Sequence, residues 1–151
     1  GPNRLNATDV RREAFLNSIA RHVPNAKTFV YEGDFKFEGG RRAAVEMLAA
    51  GELPTAVVAA NDMMALGVIK EFHQAGLSIP GDVSVVGFDD IVFAELTEPP
   101  LTTVCLSRVE LGQRTVEALI RNIERPQEQG QEVHIPTYLI KRGSTAPPRK
   151  N

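Results

Sequence analysis

Apolar and polar positions along the chain follow two rhythms, one close to the helical period and one of short unbroken apolar runs. Asn6 to Val23 has the helical period, with Val10, Ala14, Ile19 and Val23 on or near one face, and Pro24-Asn25 ends it. Thr28 to Tyr31 is a β-rich run closed by Glu32-Gly33-Asp34. Phe37 to Ala50 is helical again, with Ala43, Ala44, Met47 and Leu48 inward and Gly51 as the stop. Thr55 to Ala60 is continuously apolar, the pattern of a parallel strand buried on both faces. Asn61-Asp62 opens a helix to Ala75, with Gly76 as its left-handed cap. Val83 to Phe88 is a second buried strand, followed by Asp89-Asp90 and a short helix to Leu96. Pro99-Pro100 forces an extended crossing, and Leu101 to Leu106 has strand character. Ser107-Arg108-Val109-Glu110 is a capping box for a helix to about Ile123, since the hydroxyl and the carboxylate satisfy reciprocal backbone donors. Glu132 to Arg142 is a last extended segment, and Pro147 to Asn151 a polar tail. Strands and helices in alternation predict an α/β fold, a parallel sheet with helices on both faces.

The helix after Ser107 fits this plan least well. Val109, Gly112, Val116, Leu119 or Ile120, and Ile123 form an apolar stripe on it. Either the stripe packs on the sheet already described, or it belongs to a second lobe.

Composition narrows the function classes. The 151 residues carry 17 basic and 19 acidic side chains, a net charge of −2, which argues against this stretch gripping nucleic acid. Apolar residues at 42% and charged residues at 24% are the balance of a folded chain. No apolar run approaches the roughly 18 residues of a membrane span. The single cysteine, Cys105, cannot form an internal disulfide and fits a reducing compartment. Gly1-Pro2-Asn3-Arg4 has no apolar signal core and is either a protease scar or a native turn.

Ligands of open parallel sheets sit beyond the carboxyl ends of the strands, where loops and helix N-termini converge. Three such ends carry polar or aromatic groups: Gly33-Asp34-Phe35, Asn61-Asp62 and Asp89-Asp90. Arg11, near the start of the first helix, reaches the same edge if the strand order is sequential. The set suits a polyhydroxylated small molecule. Asp89 can accept from two neighbouring hydroxyls, Asn61 offers a donor and an acceptor, and Arg11 a planar fork of donors. Phe35 can cover the apolar face of a ring. Each has a purely structural alternative: Asp62 as a helix N-cap, Asn61 as a chain turn, Asp89 and Asp90 as turn and cap residues. Phe35 has core packing as its alternative, and Arg11 a solvated helix charge.

Catalysis has little support. His22, His73 and His134 lie on separate elements without ligand spacing, so no metal is expected, and no phosphate loop or nucleophile elbow occurs. No cofactor is expected either.

The motifs resemble one family. Pro54-Thr55-Ala56-Val57-Val58-Ala59-Ala60-Asn61-Asp62-Met63-Met64-Ala65-Leu66-Gly67 is similar to the P-T-A-(apolar)-N-D-x-M-A-x-G segment of lactose-repressor/galactose-repressor type regulators. Ile79-Pro80-Gly81-Asp82-Val83-Ser84-Val85-Val86-Gly87-Phe88-Asp89-Asp90 resembles their I-P-x-D-(V/I)-S-V-(V/I)-G-(F/Y)-D-D. Pro99-Pro100-Leu101-Thr102-Thr103-Val104, then Leu111-Gly112, resembles their P-x-L-T-T-(V/I)…(L/M)-G. Three motifs in order, over essentially the whole chain, make the resemblance specific.

The resemblance implies a periplasmic-binding-protein-like effector domain of two lobes with a cleft between them. It divides the chain into residues 1–101 of the C-terminal lobe, a crossover strand and helix over 102–131 belonging to a mostly absent N-terminal lobe, and a return strand and tail over 132–151. The stripe on the 108–123 helix is then expected to be exposed, or covered by another chain. Carried over by position, Arg11, Phe35, Asn61 and Asp89 take the effector-binding places, while Asp62 and Asp90 are structural. Leu106 departs from the family, where that position is often polar, which removes one usual sugar-hydroxyl contact. The implied function is binding of an effector, a sugar first, with nucleobases, nucleosides and phosphorylated sugars open. The implied setting is a homodimeric, cytoplasmic transcription regulator whose DNA contact lies in an upstream helix-turn-helix. Met63, Met64, Phe93 and Leu96 are candidates for the dimer surface, with core packing as the alternative. A solute-binding protein of a sugar transporter is the competing class, and a cleft enzyme the third.

Overall fold

A computed structural model describes residues 6–149, and the Gly1–Arg4 turn and the last two residues of the polar tail lie outside them. The element order is α1 (Asn6–His22), α2 (Phe37–Ala49), β1 (Ala56–Val58), α3 (Asp62–Gln74), β2 (Ser84–Phe88), α4 (Phe93–Leu96), β3 (Thr102–Leu106), α5 (Arg108–Glu124) and β4 (Thr137–Ile140). The four strands form one sheet in sequential order. β1, β2 and β3 run parallel, with Val57 opposite Val85 and Gly87 opposite Thr103. β4 returns antiparallel to β3, Cys105 opposite Tyr138, so the expected parallel sheet ends in one antiparallel edge.

The core lies between the sheet and the α2–α3 pair. Ala43, Ala44 and Met47 of α2 meet Met64, Ala65, Val68, Ile69 and Phe72 of α3 over Val57, Val83, Val85 and Leu101. Each large side chain among these, fully withdrawn from water, stabilises the fold by about 1.5–3 kcal/mol. The two helices approach at Gly40 and Gly67, where a Cβ would run into the Met64 and Phe37 carbonyl oxygens. Gly51 and Gly76 stand at positive φ and end α2 and α3, as their positions in the sequence predict. At the lower end of the sheet, buried Ser144 bridges β2 and β3. Its carbonyl accepts from Val85 N (2.8 Å), and its hydroxyl donates to Val85 O (2.6 Å) and accepts from Thr102 N (2.8 Å).

Several expectations need correction. β3 is hydrogen-bonded into this sheet, and its Thr102 and Thr103 are buried, so the position expected as a lobe boundary, 101/102, lies at the start of a strand of this sheet. Thr28–Tyr31 forms no strand and pairs with none among the described residues. A cavity of about 630 Å³, lined by Phe15, Phe29, Val30, Val58, Met47 and Val68 among others, separates that segment from β1. For the same reason β1 is buried on one face only, with Val57 inside and Val58 exposed. The predicted apolar face of α1 is likewise open, Val10 being 57% exposed. Met64 is core, which removes it from any contact surface, whereas Met63, Phe93 and Leu96 are exposed. The apolar stripe of α5 is exposed as expected. None of its residues is buried, and Val109 and Ile123 are 73% and 70% accessible.

Candidate functional site

The residues of interest gather beyond the carboxyl ends of β1 and β2. α1 sends Arg11 across this edge, where its Nη1 donates to the Ala60 carbonyl at the end of β1 (3.1 Å). Its guanidinium lies 4.7 Å from the Phe88 ring centre and 5.8 Å from that of Phe35, within cation–π range of both. Two aromatic faces thereby fix the orientation of its planar guanidinium.

Phe35 is placed by its backbone, not by core packing. It stands at φ 62°, beyond the Asp34 turn in which the carboxylate accepts from Lys36 N (2.9 Å). Arg42 closes on the same carboxylate at 2.8 Å and holds its pKa below the ordinary range, with the Lys36 amide as the second cause. The Phe35 carbonyl then accepts from Asn61 Nδ2 (2.8 Å).

Asn61, not Asp62, is the N-cap of α3: its Oδ1 accepts from Met64 N at 2.9 Å. This side chain therefore ties the Phe35 turn to the first turn of α3, and its second amide proton is left for other use. Asp62, 0% exposed, does something the N-cap reading missed. Its Oδ1 accepts from the Thr103 hydroxyl (2.5 Å) and its Oδ2 from Ile91 N (2.9 Å), joining α3, β3 and the turn after β2. It reaches Thr103 because Gly87 has no side chain; a Cβ there would overlap the carboxylate.

Asp89 and Asp90 follow β2 in consecutive left-handed conformations, φ 114° and 51°. Such backbone is costly for residues with a Cβ and persists where the surroundings over-determine it. Asp89 N donates to Val104 O (2.9 Å), which seats the turn on β3. Among the described residues the half-buried Asp89 carboxylate has no hydrogen-bond partner. Burial pushes its pKa up and the nearby Asp62 charge adds to this, while Arg11 and Arg108 pull it down. Asp90 is tied instead: Arg142 Nη2 meets its Oδ1 at 2.8 Å, and Arg108 Nη2 donates to its carbonyl at 3.4 Å.

The structure thus brings Arg11, Phe35, Asn61 and Asp89 to one edge, and Asp62 and Asp90 beneath it as framework. A partly desolvated carboxylate, a fork of N–H donors and two ring faces form a surface suited to an uncharged, hydroxyl-rich ring. Among the described residues no group of three or more His, Cys, Asp or Glu could hold a metal ion.

The family profile of the periplasmic binding protein-like domain matches residues 1–145. The chain belongs to this family. Its relatives include transcriptional repressors. It is 35% identical over 147 residues to the ribose operon repressor of Escherichia coli (strain K12), covering 95% of this chain and 44% of the relative. A dimeric Lac repressor superposes with a TM-score of 0.89 at 31% identity, over 99% of this chain and 54% of the other. A LacI family transcriptional regulator from Enterococcus faecium, solved with bound ribose, superposes with a TM-score of 0.83 at 32% identity, over 93% and 52%. The chain therefore spans about half the length of the proteins it matches. These relatives are transcriptional regulators rather than enzymes or transporter components, and among the described residues no helix is long and apolar enough to cross a membrane.

Two charged residues beside the candidate site, Arg108 and Arg142, escape sequence reasoning. Arg108 was seen only as the interior of a capping box, of which the half made by Ser107 Oγ and Glu110 N (3.2 Å) is present. Arg142 carried no motif; only the pairing of β4 with β3 brings it beside Asp90.

Proposed function

We propose that this chain is the effector-sensing part of a cytoplasmic, DNA-binding transcription regulator, and that its effector is a sugar. The observation that carries the reading is the Asp89 carboxylate, half-buried, without a hydrogen-bond partner among the described residues, and facing the same edge as Arg11 and the Phe88 and Phe35 rings. A carboxylate in that position gains most from two adjacent hydroxyls, which supply charge-assisted hydrogen bonds in place of lost water. Arg11 donates to ring or hydroxyl oxygens, Phe35 covers the ring's C–H face, and Asn61 spends its remaining amide proton on the ligand. The chemistry is binding, with no catalytic residue. The ribose named for one relative and bound in another makes ribose the first candidate.

The site is one wall of a cleft. The exposed stripe of α5 packs against a second lobe that forms the other wall, and effector binding shifts the two lobes between arrangements. Exposed Met63, Phe93 and Leu96 contribute to a homodimer surface, through which the shift alters how the DNA-binding heads are presented. Calorimetric titration of the intact regulator with ribose, other monosaccharides and nucleosides tests the core of this. One sugar is expected to bind saturably and to lose about 100-fold in affinity in Asp89→Ala, roughly 2.7 kcal/mol for two bonds to a charged acceptor. Sugar affinity unchanged in that variant, or nucleosides binding in place of sugars, overturns the reading.

A further inference from the structure

Asp89 lies in a turn of two consecutive left-handed residues, neither of them glycine. The hydrogen bond from Asp89 N to Val104 O fixes the entry to the turn, and the one from Ile91 N to Asp62 fixes its exit. Between them stands Asp90, whose side chain is held by a residue 52 positions away in sequence. That residue, Arg142, is nearly buried, its side chain 12% accessible. Its Nη1 donates to Leu101 O (2.9 Å) and its backbone N to Thr102 Oγ1 (2.9 Å), so it is rooted at the start of β3. Its Nη2 then reaches both Asp90 Oδ1 (2.8 Å) and Glu95 Oε1 on α4 (3.0 Å). The planar fork suits this task because its two arms point at different partners at once, the sheet on one side and the turn on the other.

We propose that Arg142 is a positioning residue for effector binding: it acts through Asp90 to hold the strained turn that aims the Asp89 carboxylate into the cleft. It touches no ligand itself. The segment that follows β4 thereby sets the geometry of a turn built by earlier elements, and any motion of that segment against the start of β3 is transmitted to Asp89. The inference rests on the proposed function at two points, Asp89 as an effector contact and ribose as the ligand titrated, while the hydrogen-exchange arm depends on neither.

The test compares Arg142→Met, Arg142→Lys and Asp90→Ala in the intact regulator, alone and combined, by amide hydrogen exchange and by ribose titration. Without ligand, Arg142→Met is expected to speed exchange at the Asp89 and Ile91 amides by tenfold or more while the α3 amides keep their wild-type rates. Arg142→Lys recovers part of that protection, since one ammonium can face Asp90 but cannot hold Leu101 O as well. In ribose binding, Arg142→Met loses about tenfold, and it loses nothing further in the Asp90→Ala background, because the route runs through Asp90. Exchange unchanged at 89 and 91, or accelerated equally in α3, overturns the proposal, as does additive loss of affinity. Asp89→Ala run alongside keeps the two readings apart. If ribose affinity survives that variant, the site assignment fails while the exchange data still decide whether Arg142 holds the turn.

Discussion

Replacing Asp62 by alanine removes one carboxylate and leaves two donors behind. The Thr103 hydroxyl, 2.5 Å from Oδ1, and the Ile91 amide, 2.9 Å from Oδ2, are both sequestered around a side chain with no exposed surface. An unsatisfied buried donor costs about 1–3 kcal/mol, and the relief of no longer burying a carboxylate offsets part of the sum. The expected net loss for Asp62→Ala is about 2–4 kcal/mol. Asp62→Asn is the discriminating control. Its amide oxygen still accepts from Ile91 N, its NH₂ donates to Thr103 Oγ1, and the Thr103 proton rotates elsewhere. The side chain is nearly isosteric, which matters because the space beside Gly87 admits no extra atom. A loss of about 1 kcal/mol is expected there. Urea unfolding measures both, and unchanged slopes would confirm that midpoint differences are differences in stability. Asp62→Asn also removes the charge that helps raise the Asp89 pKa, so the Asp89 carboxyl, followed by NMR, should titrate lower than in wild type. Burial, the larger cause, remains, so the fall is partial. Equal midpoints for the alanine and asparagine variants would refute the reasoning, for they would show that both donors find other partners once the carboxylate is gone.

Two further outcomes follow from the same geometry. Because burial and the Asp62 charge raise the Asp89 pKa in the folded chain, the native state holds that proton more tightly than the unfolded one. Stability therefore falls as pH rises through the window between the ordinary carboxylate value and the raised one. Asp89→Asn should match or exceed wild-type stability at neutral pH and lose that part of the pH dependence in urea unfolding, and a less stable variant at neutral pH would count against it. On α5, Val116→Ser combined with Ile120→Ser should change the stability of this chain by no more than about 0.5 kcal/mol, because both residues are exposed, at 55% and 49%. A loss above about 1 kcal/mol in the same assay would mean that the stripe packs on this sheet after all.

The strand ends that build the site were legible because each is marked by a local change of pattern: an unbroken apolar run stops at Asn61 or at Asp89, and a buried run can stop there only if a loop begins. Asn61 and Asp89 could be named on that basis, Phe35 from the end of the Thr28–Tyr31 run and Arg11 from sequential strand order, and the structure brings the four to one edge. What could not be read were choices decided far along the chain. Asn61 and Asp62 are equally good capping residues by type. What separates them is Thr103, 41 positions away, together with the absence of a Cβ at Gly87, which opens the space where Asp62 meets that hydroxyl. Once Asp62 is drawn inward, the cap falls to Asn61, and the cap in turn orients the amide that holds the Phe35 carbonyl. Thr28–Tyr31 shows the opposite failure. Its residues favour a strand, but a strand needs a partner's backbone, and here a cavity separates it from β1. Arg142 joins both lessons. It lies in a polar stretch after a short edge strand, with no motif around it, and only the β3–β4 register turns it from a surface cation into the residue that anchors Asp90. A position fixed by long-range pairing leaves no local trace, so residues of this kind, rather than those inside the motifs, are where the structure adds most to the reading of the site.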